Sequence, residues 1–226
     1  MASAIATGYR SSIGKKAVMA ASGGVLVLFL IGHLIGNLKI FFGAATFNHY
    51  SAWLRNLGEP ALPHRVVLTL IEIALTVSVI AHIWSAILLA QQAHHARPIG
   101  YQHRARVQQS YSSRTMRWGG PIIALFVVYH LLDLTFGVAN PAGSAASPYT
   151  KVIAGFQHWW ITVIYVLAVL LVGVHLRHGI WSAAATLGFN KNGRERGLNT
   201  LAVTVATLIT VGFVIVPLCV LIGLVN

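Results

Sequence analysis

Four histidines, His33, His82, His130 and His175, lie in four separate apolar stretches, one in each. Imidazole coordinates strongly, and such a group inside a membrane-embedded helix is costly and marks a functional site. A lone membrane histidine more often makes an interhelical hydrogen bond. Four of them, one per stretch, with so few other polar residues nearby, point to cofactor ligation. Neutral imidazole suits iron, zinc and copper, so the chemistry in question is metal binding, and the placement of the four rings decides its form.

The elements that must position them are long apolar helices. Five stretches, near 15–42, 66–91, 118–139, 157–187 and 199–225, reach the roughly 20 apolar residues that cross a bilayer. The expected fold class is an all-α integral membrane protein, a single membrane domain over 1–226. Its first four transmembrane helices would form a haem-binding four-helix bundle. The chain is 56% hydrophobic and only 9% charged, whereas a soluble domain carries about a quarter charged residues. The first apolar run is too long for a signal peptide and is followed by further spans, so it reads as a mature helix. Asn140 to Ser147, rich in Pro, Gly and Ser, is the clearest loop.

Charge gives the orientation. Arg10, Lys15, Lys16, Arg97, Arg104, Arg106, Arg114, Arg117, Lys191, Arg194 and Arg196 fall on one side of the five spans, and Arg55, Arg65 and Lys151 on the other. Basic residues favour the cytoplasmic side, which predicts a cytoplasmic N-terminus and an outside C-terminus. Topology thus accounts for the net charge of +12, and no nucleic-acid partner is called for. Trp53, Trp118, Trp159 and Trp160 sit near span ends, where an aromatic belt is expected.

With that orientation the histidines sort by depth. The first and third helices run outward and place His33 and His130 on the outer side of the midplane. The second and fourth run inward and place His82 and His175 on the cytoplasmic side. An outer pair, His33 with His130, and an inner pair, His82 with His175, suit two bis-histidine haems b stacked across the membrane. A structural zinc site would gather its ligands in one tetrahedron, which two pairs at different depths do not. The lone Cys219 excludes an iron–sulfur cluster, and the absence of CxxCH excludes thioether attachment of haem. Gly32 and Gly36 beside His33, Ser78 and Ser85 around His82, and Gly173 and Gly179 around His175 would let a flat macrocycle approach the backbone, or let helices pack closely.

The runs LIGHLIGN around His33, IAHIWSA around His82, VVYHLLDL around His130 and GVHLRHGIWSAAATLG around His175 resemble the cytochrome b558 subunit of succinate:quinone oxidoreductases, a five-helix, two-haem membrane anchor. The resemblance spans nearly the whole chain and implies that His175, not His178, is the fourth ligand. It also implies ligand pairing of first helix with third and second with fourth. Implied partners are a flavoprotein and an iron–sulfur subunit on the cytoplasmic face of a bacterial inner membrane. Electrons would pass from succinate through the inner and then the outer haem to a quinone, menaquinone by the same resemblance. A fumarate reductase anchor, the cytochrome b subunit of a hydrogenase or formate dehydrogenase, and a transporter or channel with a histidine relay are the alternatives.

Quinone reduction takes up protons, so Glu72, Asp133, His49 and His64 are candidate residues of a quinone site near the outer haem. Arg177 and His178, just inside the inner ligand, are candidate partners of anionic haem propionates. His94, His95 and His103 read as surface residues facing the iron–sulfur partner, and Lys39 as a side chain snorkelling outward.

Overall fold

The computed structural model describes residues 11–95, 111–190 and 193–226. Arg10, Arg97, His103, Arg104, Arg106 and Lys191 lie outside the described residues, as do the side chains of Arg114 and Arg117. Among the described residues seven α-helices follow one another: α1 (Ser12–Leu38), α2 (Gly43–Arg55), α3 (Val66–His95), α4 (Tyr111–His130), α5 (Pro148–Phe156), α6 (Trp159–Thr186) and α7 (Glu195–Leu221). Five segments among the same residues are long and apolar enough to cross a membrane, carried by α1 with α2, by α3, by α4 with the turn after it, by α6 and by α7. Leu28, Leu125 and Leu208 are among the many large apolar side chains these helices turn outward. In water so much exposed apolar surface would drive aggregation, whereas in a bilayer it is the solvated face. The chain is a multi-pass, all-helical membrane protein.

The ends of the helices have local causes. Ser11 caps α1, its Oγ accepting from the Gly14 amide at 3.0 Å. After Leu38 the chain tightens into a 3₁₀ turn, Lys39–Phe42, and turns at Gly43, whose φ of 87° favours glycine. Two short helices then interrupt segments that hydropathy alone reads as connections. The first, α2, carries too many polar residues, Asn48, His49 and Ser51 among them, to register as a span. The second, α5, has only nine residues, but Ser147 caps it and Pro148 occupies its first turn. At the far end of α4 the helix widens into a π-helical turn, Leu131–Thr135, with Asp133 inside it.

Close packing joins α1 to α3, α1 to α6, α4 to α6, and α7 to both α6 and α1. Among the described residues α1 does not pack closely on α4, nor α3 on α6 or on α4. The four helices are therefore joined in the order α3, α1, α6, α4, and α1 with α4 and α3 with α6 are the diagonals of the bundle this order makes. The densest core, Ile40, Val152, Ile153, Phe156, Ile161, Tyr165, Val216 and Val220, gathers α5, the start of α6 and the end of α7 around the end of α1. Gly173 lies against Thr210 of α7, where a Cβ would collide with the Thr210 hydroxyl, so this glycine lets α6 and α7 meet.

Candidate functional site

The four histidines meet as two pairs, each across a diagonal of the bundle. His33 of α1 and His130 of α4 have ring centres 5.9 Å apart at 89°. His82 of α3 and His175 of α6 lie 6.1 Å apart at 60°. In both cases the helix backbones stay apart and the imidazoles reach towards each other between them. The pairs stand at different levels, because His82 touches α1 at Met19 and Ser22, eleven to fourteen residues before His33. At 1.5 Å per residue that is roughly 15–20 Å along the helix.

The surroundings of the two pairs differ. Around His33 and His130 the contacts are aromatic: Phe29 stacks on His33 at 5.1 Å, Phe213 lies 5.7 Å from it, and Phe126 and Tyr165 each lie 5.9 Å from His130. Around the other pair they are polar. The Nδ1 of His82 is 3.1 Å from the Met19 carbonyl and 3.4 Å from Ser22 Oγ. His175, with Met116, Gly119, Leu171 and Val174, lines a small cavity. Among the described residues, two buried side-chain atoms have no hydrogen-bond partner, His175 Nδ1 and Ser85 Oγ, and Ser85 lies three residues beyond His82 on α3. No three His, Cys, Asp or Glu side chains converge among the described residues.

Of the small residues flanking the histidines, Gly32 and Gly179 border open space, while Gly36 takes the ring of Tyr50 and Gly173 takes Thr210. Gly36 and Gly173 therefore serve helix packing. Ser78 donates to the Ala74 carbonyl within its own helix.

The four residues grouped as quinone candidates do not converge. Glu72 accepts from Arg65 at 3.0 and 3.3 Å on the surface. His64 pairs with Glu59 at 3.2 Å, also exposed. His49 lines an open cleft with Lys39, Thr46, Tyr50 and Trp53, and Lys39 Nζ sits 5.2 Å over the Tyr50 ring. Asp133 is fully buried; its Oδ1 accepts from Asn140 Nδ2 at 2.6 Å and its Oδ2 from the Tyr165 hydroxyl at 2.7 Å. Arg177 is exposed and His178 half-buried, two and three residues beyond His175 on α6. Tyr165, Asn140, Met19, Ser22 and Gly23 carry no mark in the sequence as site residues, since each acquires its role from a partner on another element.

No curated protein and no solved structure matches the chain. Residues 94–214, more than half of the chain and including His130 and His175, match the family described as the succinate dehydrogenase/fumarate reductase transmembrane subunit. A bundle of apolar helices with this match belongs to the succinate dehydrogenase/fumarate reductase transmembrane-subunit family.

Proposed function

We propose that this chain is the di-haem b anchor of a succinate:quinone oxidoreductase, carrying electrons from an iron–sulfur subunit to a quinone. The observation that carries this reading is the pairing of four imidazoles across the two diagonals. Two imidazoles bound to opposite faces of one first-row metal, each by a bond of about 2 Å as in zinc–imidazole sites, leave about 6 Å between ring centres. Both pairs have that spacing. Each pair supplies only two donors, which suits a metal whose other four ligands come from a macrocycle and does not suit a tetrahedral zinc site. The open space at Gly32 and Gly179 and the unpartnered Ser85 Oγ also support a polar, planar group between the helices.

A bis-imidazole haem supplies one-electron redox chemistry with no open coordination position, so it relays electrons and leaves substrate chemistry to other sites. His33 and His130 hold the outer group, His82 and His175 the inner. Phe29, Phe126 and Phe213 keep water from the outer pair. Arg177 and His178 extend beyond His175 as cationic or hydrogen-bonding partners for propionates. As a transmembrane subunit of this family the chain works with soluble subunits. The reading makes these a flavoprotein and an iron–sulfur protein on the cytoplasmic face of a bacterial inner membrane. The N-terminus of the anchor would be inside and its C-terminus outside, as the basic residues favour. The reading takes succinate oxidation as the direction and menaquinone as the acceptor, and the motif around His175 favours this family over the cytochrome b of a hydrogenase or formate dehydrogenase.

The cleft of Lys39, Thr46, His49, Tyr50 and Trp53 is the best-supported place for the quinone headgroup. It offers aromatic rings for stacking and Lys39 and His49 as donors to a carbonyl oxygen. Through Gly36 it touches α1 one turn beyond His33. His49 is thus retained in this proposal, while Glu72, His64 and Asp133 have polar partners of their own outside this cleft.

Pyridine haemochrome quantification and reduced-minus-oxidised spectra of the purified complex test the reading. The wild type should hold two haems b per anchor. His33→Ala and His130→Ala should remove one spectral component, and His82→Ala and His175→Ala the other. A wild type without haem, or four variants that retain both components, would overturn it.

A further inference from the structure

Helix α1 carries an outer histidine, yet it also grips an inner one. His82 of α3 points its Nδ1 at the Met19 carbonyl, 3.1 Å away. A carbonyl can only accept, so Nδ1 carries the hydrogen and Nε2 is left with the lone pair. The Ser22 hydroxyl donates to the Val18 carbonyl at 2.7 Å, which leaves its oxygen as a second acceptor 3.4 Å from the same Nδ1. Gly23 completes the contact: a Cβ there would stand 3.2 Å from His82 Cε1 and 3.4 Å from Nδ1. An alanine there would make the ring give way by a few tenths of an ångström, lengthening its contact with α1. Its neighbour Gly24 meets nothing within 4 Å, so the close approach belongs to Gly23 alone. Across the diagonal His175 has no such support, its buried Nδ1 being without a partner.

We propose that Met19, Ser22 and Gly23 form a positioning cradle for His82, fixing its tautomer and ring orientation and making it the more strongly donating of the two inner histidines. A hydrogen bond from the distal ring nitrogen to a carbonyl raises the basicity of the ligating nitrogen and tunes the metal. Stronger donation favours the ferric state and lowers the reduction potential of the inner site. The cradle rests on the reading of His82 and His175 as haem ligands and adds residues that no ligand motif contains.

The test compares Gly23→Ala, Gly24→Ala and Ser22→Ala in the intact complex, by redox titration and by low-temperature electron paramagnetic resonance. The inner signal is defined as the one absent in His82→Ala. Gly23→Ala should raise the inner midpoint potential and shift the inner low-spin g values, leaving the outer haem and the haem count unchanged. Ser22→Ala should move the inner potential the same way by a smaller amount, and Gly24→Ala should leave both haems as in the wild type. An unmoved or lowered inner potential in Gly23→Ala, or an equal shift in Gly24→Ala, overturns the cradle. Should Gly23→Ala fail to accumulate, Ser22→Ala decides by the same criterion. A wild type lacking two bis-imidazole signals overturns the haem reading itself, and the cradle with it. Two normal signals that ignore Gly23 and Ser22 overturn only the cradle.

Discussion

The Tyr165 hydroxyl donates to Asp133 Oδ2 at 2.7 Å, joining the second turn of one membrane helix to a fully buried carboxylate in the π turn that follows another. The same ring packs edge-on against His130 at 5.9 Å, Phe126 at 5.0 Å and Phe156 at 4.8 Å. Asn140 completes the node, donating to Asp133 Oδ1 and to the Lys151 carbonyl at 3.1 Å, so the loop after α4 and helix α5 are held to the same carboxylate. The π turn, a feature frequent at functional sites, directly follows His130 and is joined to it again through Asp133 and Tyr165.

Tyr165→Phe removes one donor from a carboxylate that has no solvent to replace it. The cost of such an orphaned acceptor is about 1–3 kcal/mol. Thermal denaturation of the purified complex should show a lowered midpoint, with the haem content per protein unchanged. An unchanged midpoint would mean that Asp133 does not need the tyrosine.

Gly36 admits the Tyr50 ring so closely that a Cβ would meet Cε1 at 2.7 Å. Gly36→Ala should therefore displace Tyr50 and distort the cleft of Lys39, His49 and Trp53 while leaving His33 in place. The expected result is a higher KM for quinone with normal haem spectra, and Lys39→Gln and His49→Gln should act in the same direction. Quinone kinetics untouched by all three would place the headgroup elsewhere.

Gly173→Ala should cost about 1–3 kcal/mol by overpacking, within the usual range for an inserted methyl in a filled interface, because the added carbon meets the Thr210 side chain. A Thr210→Ala partner change makes room and should restore much of the loss. A double-mutant cycle on the melting midpoint measures this coupling directly. Additive effects would show that α6 and α7 do not meet through these two residues.

The pairing of His33 with His130 and of His82 with His175 was legible because membrane helices are straight, apolar and of known rise. A residue's distance from a span end therefore reports its depth. Each histidine was conspicuous against an otherwise apolar background. What escaped were features made by contact. The cradle of Met19, Ser22 and Gly23 uses a backbone carbonyl, which every residue has, and a glycine indistinguishable in sequence from the unencumbered Gly24. Gly36 and Gly173 flank a histidine as Gly32 and Gly179 do, yet Tyr50 and Thr210 occupy the first two while the other two border open space. Asp133 was visible as a membrane carboxylate, but its donors Tyr165 and Asn140 lie on another helix and in the following loop, and nothing in either residue's own sequence marks that contact.

The separation of the two pairs has an energetic consequence for the direction of turnover. Roughly 15–20 Å between levels is about half of a hydrocarbon core some 30 Å thick. Moving one charge across the whole membrane is worth about 2.3 kcal/mol per 100 mV, so an electron pair crossing half of it exchanges about 2 kcal/mol per 100 mV with the field. In the proposed orientation, with the N-terminus inside and a cytoplasmic donor, electrons would travel from the His82/His175 pair to the His33/His130 pair, towards the positive side, and the potential would assist them. Succinate-dependent quinone reduction in intact cells should therefore slow when an uncoupler collapses the potential, and quinol-dependent fumarate reduction should accelerate. The same uncoupler added to detergent-solubilised complex, where no potential exists, should change neither rate. Equal rates with and without uncoupler in intact cells would show that the electrons do not cross between the two levels in this direction.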